Sequence, residues 1–157
     1  MPIREFQRET DLEALRACVA ALQDFERALD PRLPAGQTMA DAYLEQLFQR
    51  CEEFAGKIFV AETRDRITGA VTVLAEYRLD GPEDSTAPFG YIDDLFVMAD
   101  RRGQGVGQAL LAKAESYAKK CGRKSIRLRV KSGNHYARAF YVYAGFTEYE
   151  LEFEKPL

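Results

Sequence analysis

Two short stretches hold the residues best suited to chemistry. The first, "YIDDLFVMADRRGQGVGQALL", runs from Tyr91 to Leu111. It places two adjacent aspartates, Asp93 and Asp94, ahead of Arg102 and three glycines, Gly103, Gly105 and Gly107. Glycines let a ligand approach the main chain, and a helix N-terminus offers unpaired N–H groups with a favourable dipole. A glycine run just ahead of an apolar periodic segment therefore suits an anion, and a phosphate in particular. The second stretch, "GNHYARAFYVYAGF", runs from Gly133 to Phe146 and carries Asn134, His135 and Tyr141.

The glycine run narrows the choice of phosphate site. A Walker A loop needs a Lys-Ser/Thr pair after its last glycine, and here Gln108 and Ala109 follow Gly107. A dinucleotide fingerprint needs G-x-G-x-x-G beside a first strand, and this run comes late in the chain. What remains is R-x-x-G-x-G, Arg102 to Gly107, between a strand and a helix. A flexible connection is the bland alternative, but closely spaced glycines cost conformational entropy, so close backbone approach explains them better.

The aspartates interrupt an apolar strand that reads as buried on both faces. Adjacent residues of a regular strand point to opposite faces, so Asp93 is expected on the face of Tyr91, Leu95 and Val97, with Asp94 opposite. A buried charged pair needs partners or a cleft; a splayed, solvated point of the sheet is the alternative. Asn134 is a good helix N-cap, and Tyr141 lies about two turns along the same helix. Tyr141 is either a core aromatic or a functional hydroxyl. His135 reads as solvent-exposed, and Arg127 and Arg129 as one exposed sheet face.

The elements that position these stretches follow from periodicity. Ile3 to Arg8 reads as a first strand. Thr10 and Glu13 form a capping-box pattern before a helix carrying Leu12, Leu15, Val19 and Leu22. Pro31 and Pro34 break the chain, and a second helix presents Leu44, Leu47, Cys51 and Phe54. Strands over Lys57–Thr63 and Ile67–Arg78 form a hairpin about a turn at Thr63–Arg66. "DGPEDSTAP" is a polar loop, and Phe89–Met98 is the next strand. The third helix ends at Lys119, Lys120 and Gly122, ordinary stop signals. A strand over Ser125–Val130, a short helix from Asn134 to Gly145 and a last strand over Phe146–Glu154 complete the order β-α-α-β-β-β-α-β-α-β. That order implies an α/β (α+β) fold with a mixed sheet and helices on both faces. No domain boundary or internal repeat is visible, so residues 1–157 read as one domain.

Composition limits the partners. The 157 residues are 46% hydrophobic with a net charge of −3, which gives no basic excess for nucleic acid. No run approaches the about 18 consecutive apolar residues of a membrane span. The N-terminus is charged where a signal peptide needs apolar residues, so a cytoplasmic setting is expected. The 3 cysteines, Cys18, Cys51 and Cys121, read as reduced, and the lone histidine argues against a metal site or an internal Ser-His or Cys-His arrangement.

Together the two stretches resemble the GNAT superfamily of acetyl-CoA-dependent N-acetyltransferases. "RRGQGVG" matches the family's Q/R-x-x-G-x-G/A pyrophosphate loop, and "NHYARAFYVYAGF" matches N-x-x-A-x-x-x-Y-x-x-x-G-F with every spacing intact. "YIDDLFVMADRRGQGVG" is also similar to the same stretch of spermidine/spermine acetyltransferases. The resemblance implies a GNAT-like, mostly antiparallel sheet and acetyl-CoA as cosubstrate. Its pyrophosphate would be held by backbone N–H groups of Arg102, Gly103, Gln104, Gly105, Val106, Gly107 and Gln108. Leu95, Phe96 and Val97 would line the pantetheine arm in a V-shaped slot, with Asn134 opposite. An amine would attack the acetyl carbonyl directly, with Asp93 as base, directly or through a water, and Tyr141 as the acid that protonates the departing thiolate. Many relatives carry glutamate at or near these strand positions, and the shorter aspartates here favour a water relay. The acceptor would lie where the first two helices meet the slot. There Asp94, Asp24, Glu26 and Asp30 either recognise a cationic amine or form a solvated helix face. A homodimer is expected, because relatives pair through late strands and "YELEFEKPL" alternates. The alternative function is a non-catalytic acyl-CoA-binding module on the same fold, which need not keep Asp93 and Tyr141.

Overall fold

The computed structural model describes residues 2–64 and 66–157. The elements are strand β1 (Ile3–Glu5), helices α1 (Arg8–Leu29) and α2 (Gly36–Glu53), strands β2 (Gly56–Thr63), β3 (Arg66–Tyr77) and β4 (Phe89–Val97), helix α3 (Val106–Lys120), strand β5 (Ile126–Leu128) and helix α4 (His135–Tyr143). A short 3-10 turn, Ala99–Arg101, joins β4 to the glycine run. The turn expected at Thr63–Arg66 includes Asp65, which lies outside the described residues.

The strands form one sheet in the order β1-β2-β3-β4-β5, antiparallel throughout except for the parallel pair β4–β5. β3 is buried over nine consecutive residues, Ile67 to Ala75. That run needs cover on both faces, and it has it. One face packs with Ile58, Val60 and Phe96 against Leu15, Val19, Leu44 and Leu47 of α1 and α2. The other packs Val71, Val73 and Ile92 against Leu110, Leu111 and Ala114 of α3. Leu47, Leu74 and Leu110 are fully enclosed, and truncating any one to alanine costs about 3–4 kcal/mol.

α1 and α2 meet where only glycine fits. A Cβ on Gly36 would lie 2.1 Å from the Ala20 carbonyl oxygen. Asp24 of α1 accepts the Gly36 N–H at 2.7 Å and so satisfies the start of α2. The α1 N-terminus differs from the expected capping box. The helix begins at Arg8, and the Asp11 carboxylate accepts the Gln7 N–H at 2.8 Å. Arg4 of β1 donates to both Asp11 oxygens, at 2.6 and 3.0 Å, and its Nε reaches Glu62 of β2 at 2.5 Å.

The last expected strand is not formed. Residues from Phe146 onward belong to no strand, and Tyr149, Leu151 and Phe153 are exposed. Alternation can specify a face, but a strand also needs an edge to pair with, and β5 is only three residues long. Arg127 is also not simply exposed. Its guanidinium lies 3.9 Å from the Phe89 ring centre and 4.3 Å from that of Tyr149.

Candidate functional site

The site begins where the sheet comes apart. β4 pairs with β5 only at Gly90, Tyr91 and Ile92, so the edge of β4 beyond Ile92 has no neighbouring strand. The Met98 N–H donates to the Thr68 carbonyl of β3 at 2.9 Å. Counting back by twos, Phe96 and Asp94 also turn their backbone groups toward β3. Leu95 and Val97 therefore turn theirs to the open edge. The Val97 carbonyl confirms this, since it accepts from Arg102 Nε at 3.0 Å.

A β-bulge creates this arrangement and overturns the expected placement of the aspartates. Thr72 pairs with Asp94 and Val73 with Ile92, so Asp93 is an extra residue with no partner on β3. Ile92, Leu95 and Val97 consequently share the α3 face, while Phe96 packs toward α1 and α2. Asp93 and Asp94 do not point to opposite faces, and Asp93 does not share that of Leu95 and Val97. Both reach α2. Arg50 Nη2 lies 2.5 Å from Asp93 Oδ2, and the Tyr43 hydroxyl lies 2.9 Å from each oxygen of Asp94. The same Arg50 nitrogen donates to the Tyr43 oxygen at 3.4 Å.

The two carboxyls differ electrostatically. Burial raises the Asp93 pKa, and the Arg50 cation opposes the rise. Burial pushes Asp94 up to about 7, helped by the negative charge of Asp93, with Tyr43 and Arg50 pulling the other way. Glu26 of α1 adds a smaller upward push. Tyr141 of α4 is pushed up to about 12, first by burial and then by the Asp94 charge. A carboxyl poised near neutrality and a phenol that keeps its proton thus sit within electrostatic reach of each other.

The glycine run curls across the open edge. Gly103 and Gly105 have φ of +72° and +80°, where a side chain would be strained, and the space beside each is open. Gly105 caps α3 with no side-chain hydrogen bond. The first helical bond runs from the Ala109 N–H to the Gly105 carbonyl, so the N–H groups of Val106, Gly107 and Gln108 have no acceptor within the helix. Gly107 faces the Phe140 ring of α4, where an added Cβ would make ordinary van der Waals contact at 3.4 Å.

A cavity of about 440 Å³ joins these parts. It is lined by Leu95, Phe96, Val97, Arg102, Gly103, Gly105, Gly107 and Gln108 on one side, and by Asn134, Tyr136, Ala137, Phe140 and Tyr141 on the other, with Leu22 and Phe25 of α1 closing it. Asn134 caps α4 as its position implies, its Oδ1 accepting the Ala137 N–H at 3.0 Å. Gln104 and Val106 are not among the lining residues. The Gln104 amide donates to the Asp100 carbonyl, and Val106 is buried in the core. Asp24 is occupied in capping α2, and Asp30 is paired with Arg32 at 2.8 Å. Of the three helix-borne acids, only Glu26 stands by the aspartate pair.

Sequence reasoning missed Tyr43 and Arg50. Their one visible signal is a spacing of seven, which places them on one face of α2. Among the described residues, no cluster of three or more His, Cys, Asp or Glu side chains is placed to hold a metal ion. Among them too, no helix is long and apolar enough to cross a membrane.

This arrangement fits a phosphate-bearing ligand with an extended arm. Free N–H groups and open glycines lie at one end, and unpaired strand backbone runs along the side. Comparison with known proteins gives the family. An uncharacterized N-acetyltransferase of Methanocaldococcus jannaschii is 35% identical over 109 residues, covering 69% of this chain and 46% of that protein. The chain thus spans about half the length of that relative. An aminoglycoside N(6')-acetyltransferase type 1 of Stenotrophomonas maltophilia is 31% identical over 125 residues, covering 75% of this chain and 78% of that enzyme. A crystal structure of an aminoglycoside N-acetyltransferase in complex with CoA superposes with a TM-score of 0.71 at 16% identity, over 99% of each chain, and so shares the fold. Residues 21–146 match the acetyltransferase (GNAT) family. The chain therefore belongs to the acetyltransferase (GNAT) family.

Proposed function

We propose that this chain transfers an acetyl group from acetyl-CoA to a primary amine by direct attack. The observation that carries the reading is the cavity along the open edge of β4, lined by the glycines at the start of α3 and by Tyr141; Asp93 and Asp94 are not in that lining, and Asp94 acts on Tyr141 through its charge. Acetyl-CoA, when bound, supplies an activated acetyl thioester. Backbone N–H groups of Gly103, Gly105, Gly107 and Gln108 hold its pyrophosphate, the Arg102 N–H being taken by the Ala99 carbonyl. The outward N–H and C=O groups of Leu95 and Val97 pair with the arm, and one N–H polarises the thioester carbonyl. Asn134 flanks the arm from α4.

An amine of pKa about 10 is protonated at neutral pH and must lose a proton before attack. Asp94 takes that proton, directly or through a water. Asp93 is the weaker candidate, because it is tied to Arg50 and its carboxylate is correspondingly stabilised. Tyr141 stays protonated through the physiological range and delivers its proton to the leaving sulfur. Glu26 with Asp94 gives the acceptor end a negative field that favours cationic amines, a class that includes aminoglycosides.

The whole chain acts as one acetyltransferase domain and pairs as a homodimer. Val142, Tyr143, Tyr149, Leu151 and Phe153 are exposed together in the last quarter of the chain, and β5 is an edge strand. Burying them against a second copy accounts for that apolar surface. The free cysteines, Cys18, Cys51 and Cys121, support a reducing compartment such as the cytoplasm.

The test is free-thiol release from acetyl-CoA across a panel of primary amines, including aminoglycosides and polyamines, with Asp94→Asn alongside. Release that the substitution abolishes supports the reading. If acetyl-CoA raises the melting temperature but no amine elicits thiol, the chain is a binding module instead. Light scattering after size exclusion tests the dimer, and a monomer at high concentration removes it.

A further inference from the structure

We propose that Arg50 and Tyr43 of α2 are positioning residues for the aspartate pair, Arg50 fixing Asp93 as an ionised neighbour and Tyr43 fixing the carboxyl of Asp94. This rests on the proposed role of Asp94 as base. A bulge that turns two adjacent carboxyls to one face creates a problem, since two negative charges so close cannot both be sustained in a partly buried place. Such pairs share one proton, and neither member then has a defined role.

Arg50 breaks the symmetry. Its Nη2 serves both Asp93, at 2.5 Å, and the Tyr43 oxygen, at 3.4 Å. Its guanidinium also lies 5.5 Å from the Tyr43 ring centre. Its Nε, by contrast, is buried with no partner. The side chain thus leaves one donor unsatisfied while its end group meets Asp93 and Tyr43, a geometry set by those contacts rather than by its own hydrogen bonding. With its oxygen held by Arg50, the Tyr43 hydroxyl is free to aim its proton at Asp94. The proton of the pair then has one home, Asp94.

The other groups facing the pair are few. Cys51 adjoins it on α2, its thiol pushed up to about 11 by burial and by the Asp93 charge. Glu26 faces it from α1 and Tyr141 from α4. Tyr91 lies on β4 itself and feels Asp93. Arg129 acts on Tyr91 but on neither aspartate, so Arg50 is the positive charge that separates the two carboxyls.

The test follows aspartate carboxyl signals by NMR in protein carrying ¹³C-labelled aspartate, with Asp93→Asn and Asp94→Asn to assign the two. In the wild type, Asp94 alone titrates near neutrality. In Arg50→Gln, the Asp93 signal should join that step, the two carboxyls reporting one shared proton, and Arg50→Lys should restore the separation. In Tyr43→Phe, which keeps the ring, the Asp94 midpoint should rise by about one pH unit, a tenfold gain in proton affinity, with Asp93 unmoved. An Asp93 signal that stays ionised through neutrality in Arg50→Gln, or an Asp94 midpoint unmoved in Tyr43→Phe, overturns the proposal. A merely structural role would lower the melting temperature and leave these titrations in place. Full turnover in Asp94→Asn alongside the expected titrations would remove the base assignment and leave the positioning intact.

Discussion

Asp93 and Asp94 are neighbours in a strand, yet both side chains reach the same helix, Asp93 to Arg50 and Asp94 to Tyr43. The β-bulge at Asp93 makes this possible, and it also turns the backbone of Leu95 and Val97 to the open edge. One inserted residue therefore sets both halves of the proposed chemistry.

Asp94→Asn should lower kcat by about 100-fold or more, a typical worth of a positioned base. Acetyl-CoA affinity, read by calorimetry, should stay within twofold, because Asp94 is not among the residues that line the cavity. The wild-type rate should rise with pH through about 7 as Asp94 ionises. A flat profile between pH 6 and 8 would remove Asp94 from the rate-limiting proton transfer.

The same substitution should stabilise the protein. The folded Asp94 titrates near 7, well above the ordinary carboxyl value of about 3.9. Between those values the folded state holds the extra proton, so wild-type stability falls as pH rises through that window. Asp94→Asn should then gain roughly 1–2 kcal/mol over the wild type at pH 8, narrowing toward pH 5. Urea denaturation at the two pH values measures the difference.

Asp11 should show the opposite sign. Arg4 holds its carboxyl down at about 2, so its stabilisation is fully present above about pH 4 and is lost as pH falls toward 2. Asp11→Ala should cost about 2–3 kcal/mol at neutral pH and flatten the acid limb of the stability curve.

Tyr141→Phe should reduce kcat by about 10–100-fold with acetyl-CoA affinity nearly unchanged. The phenol pKa, pushed up to about 12, predicts no loss of rate from its ionisation below pH 9. Unchanged turnover in the variant would remove Tyr141 as the acid.

Gly105→Glu should abolish the thermal shift with acetyl-CoA. The substitution puts a side chain at φ +80° and a negative charge where the α3 N–H groups would meet the pyrophosphate. The space beside Gly105 is open, so the fold should survive with a backbone cost of about 1 kcal/mol.

The sequence by itself determined the elements and the loop. Helical spacing in Leu44 and Leu47, the two apolar runs about the hairpin turn, the glycine run and the Asn134 cap are local properties, written in consecutive residues and set by backbone sterics and burial. The tertiary structure alone decided three other things. The bulge at Asp93 depends on how β4 meets Thr72 and Val73 of β3, and strict alternation cannot reveal an extra residue. The pairing of Asp93 with Arg50 joins residues 43 positions apart, and nothing local in either segment encodes it. The expected strand after Phe146 has the right pattern, but the free edge of β5 offers only three residues to pair with, and a strand is completed by its neighbour and not by its own side chains.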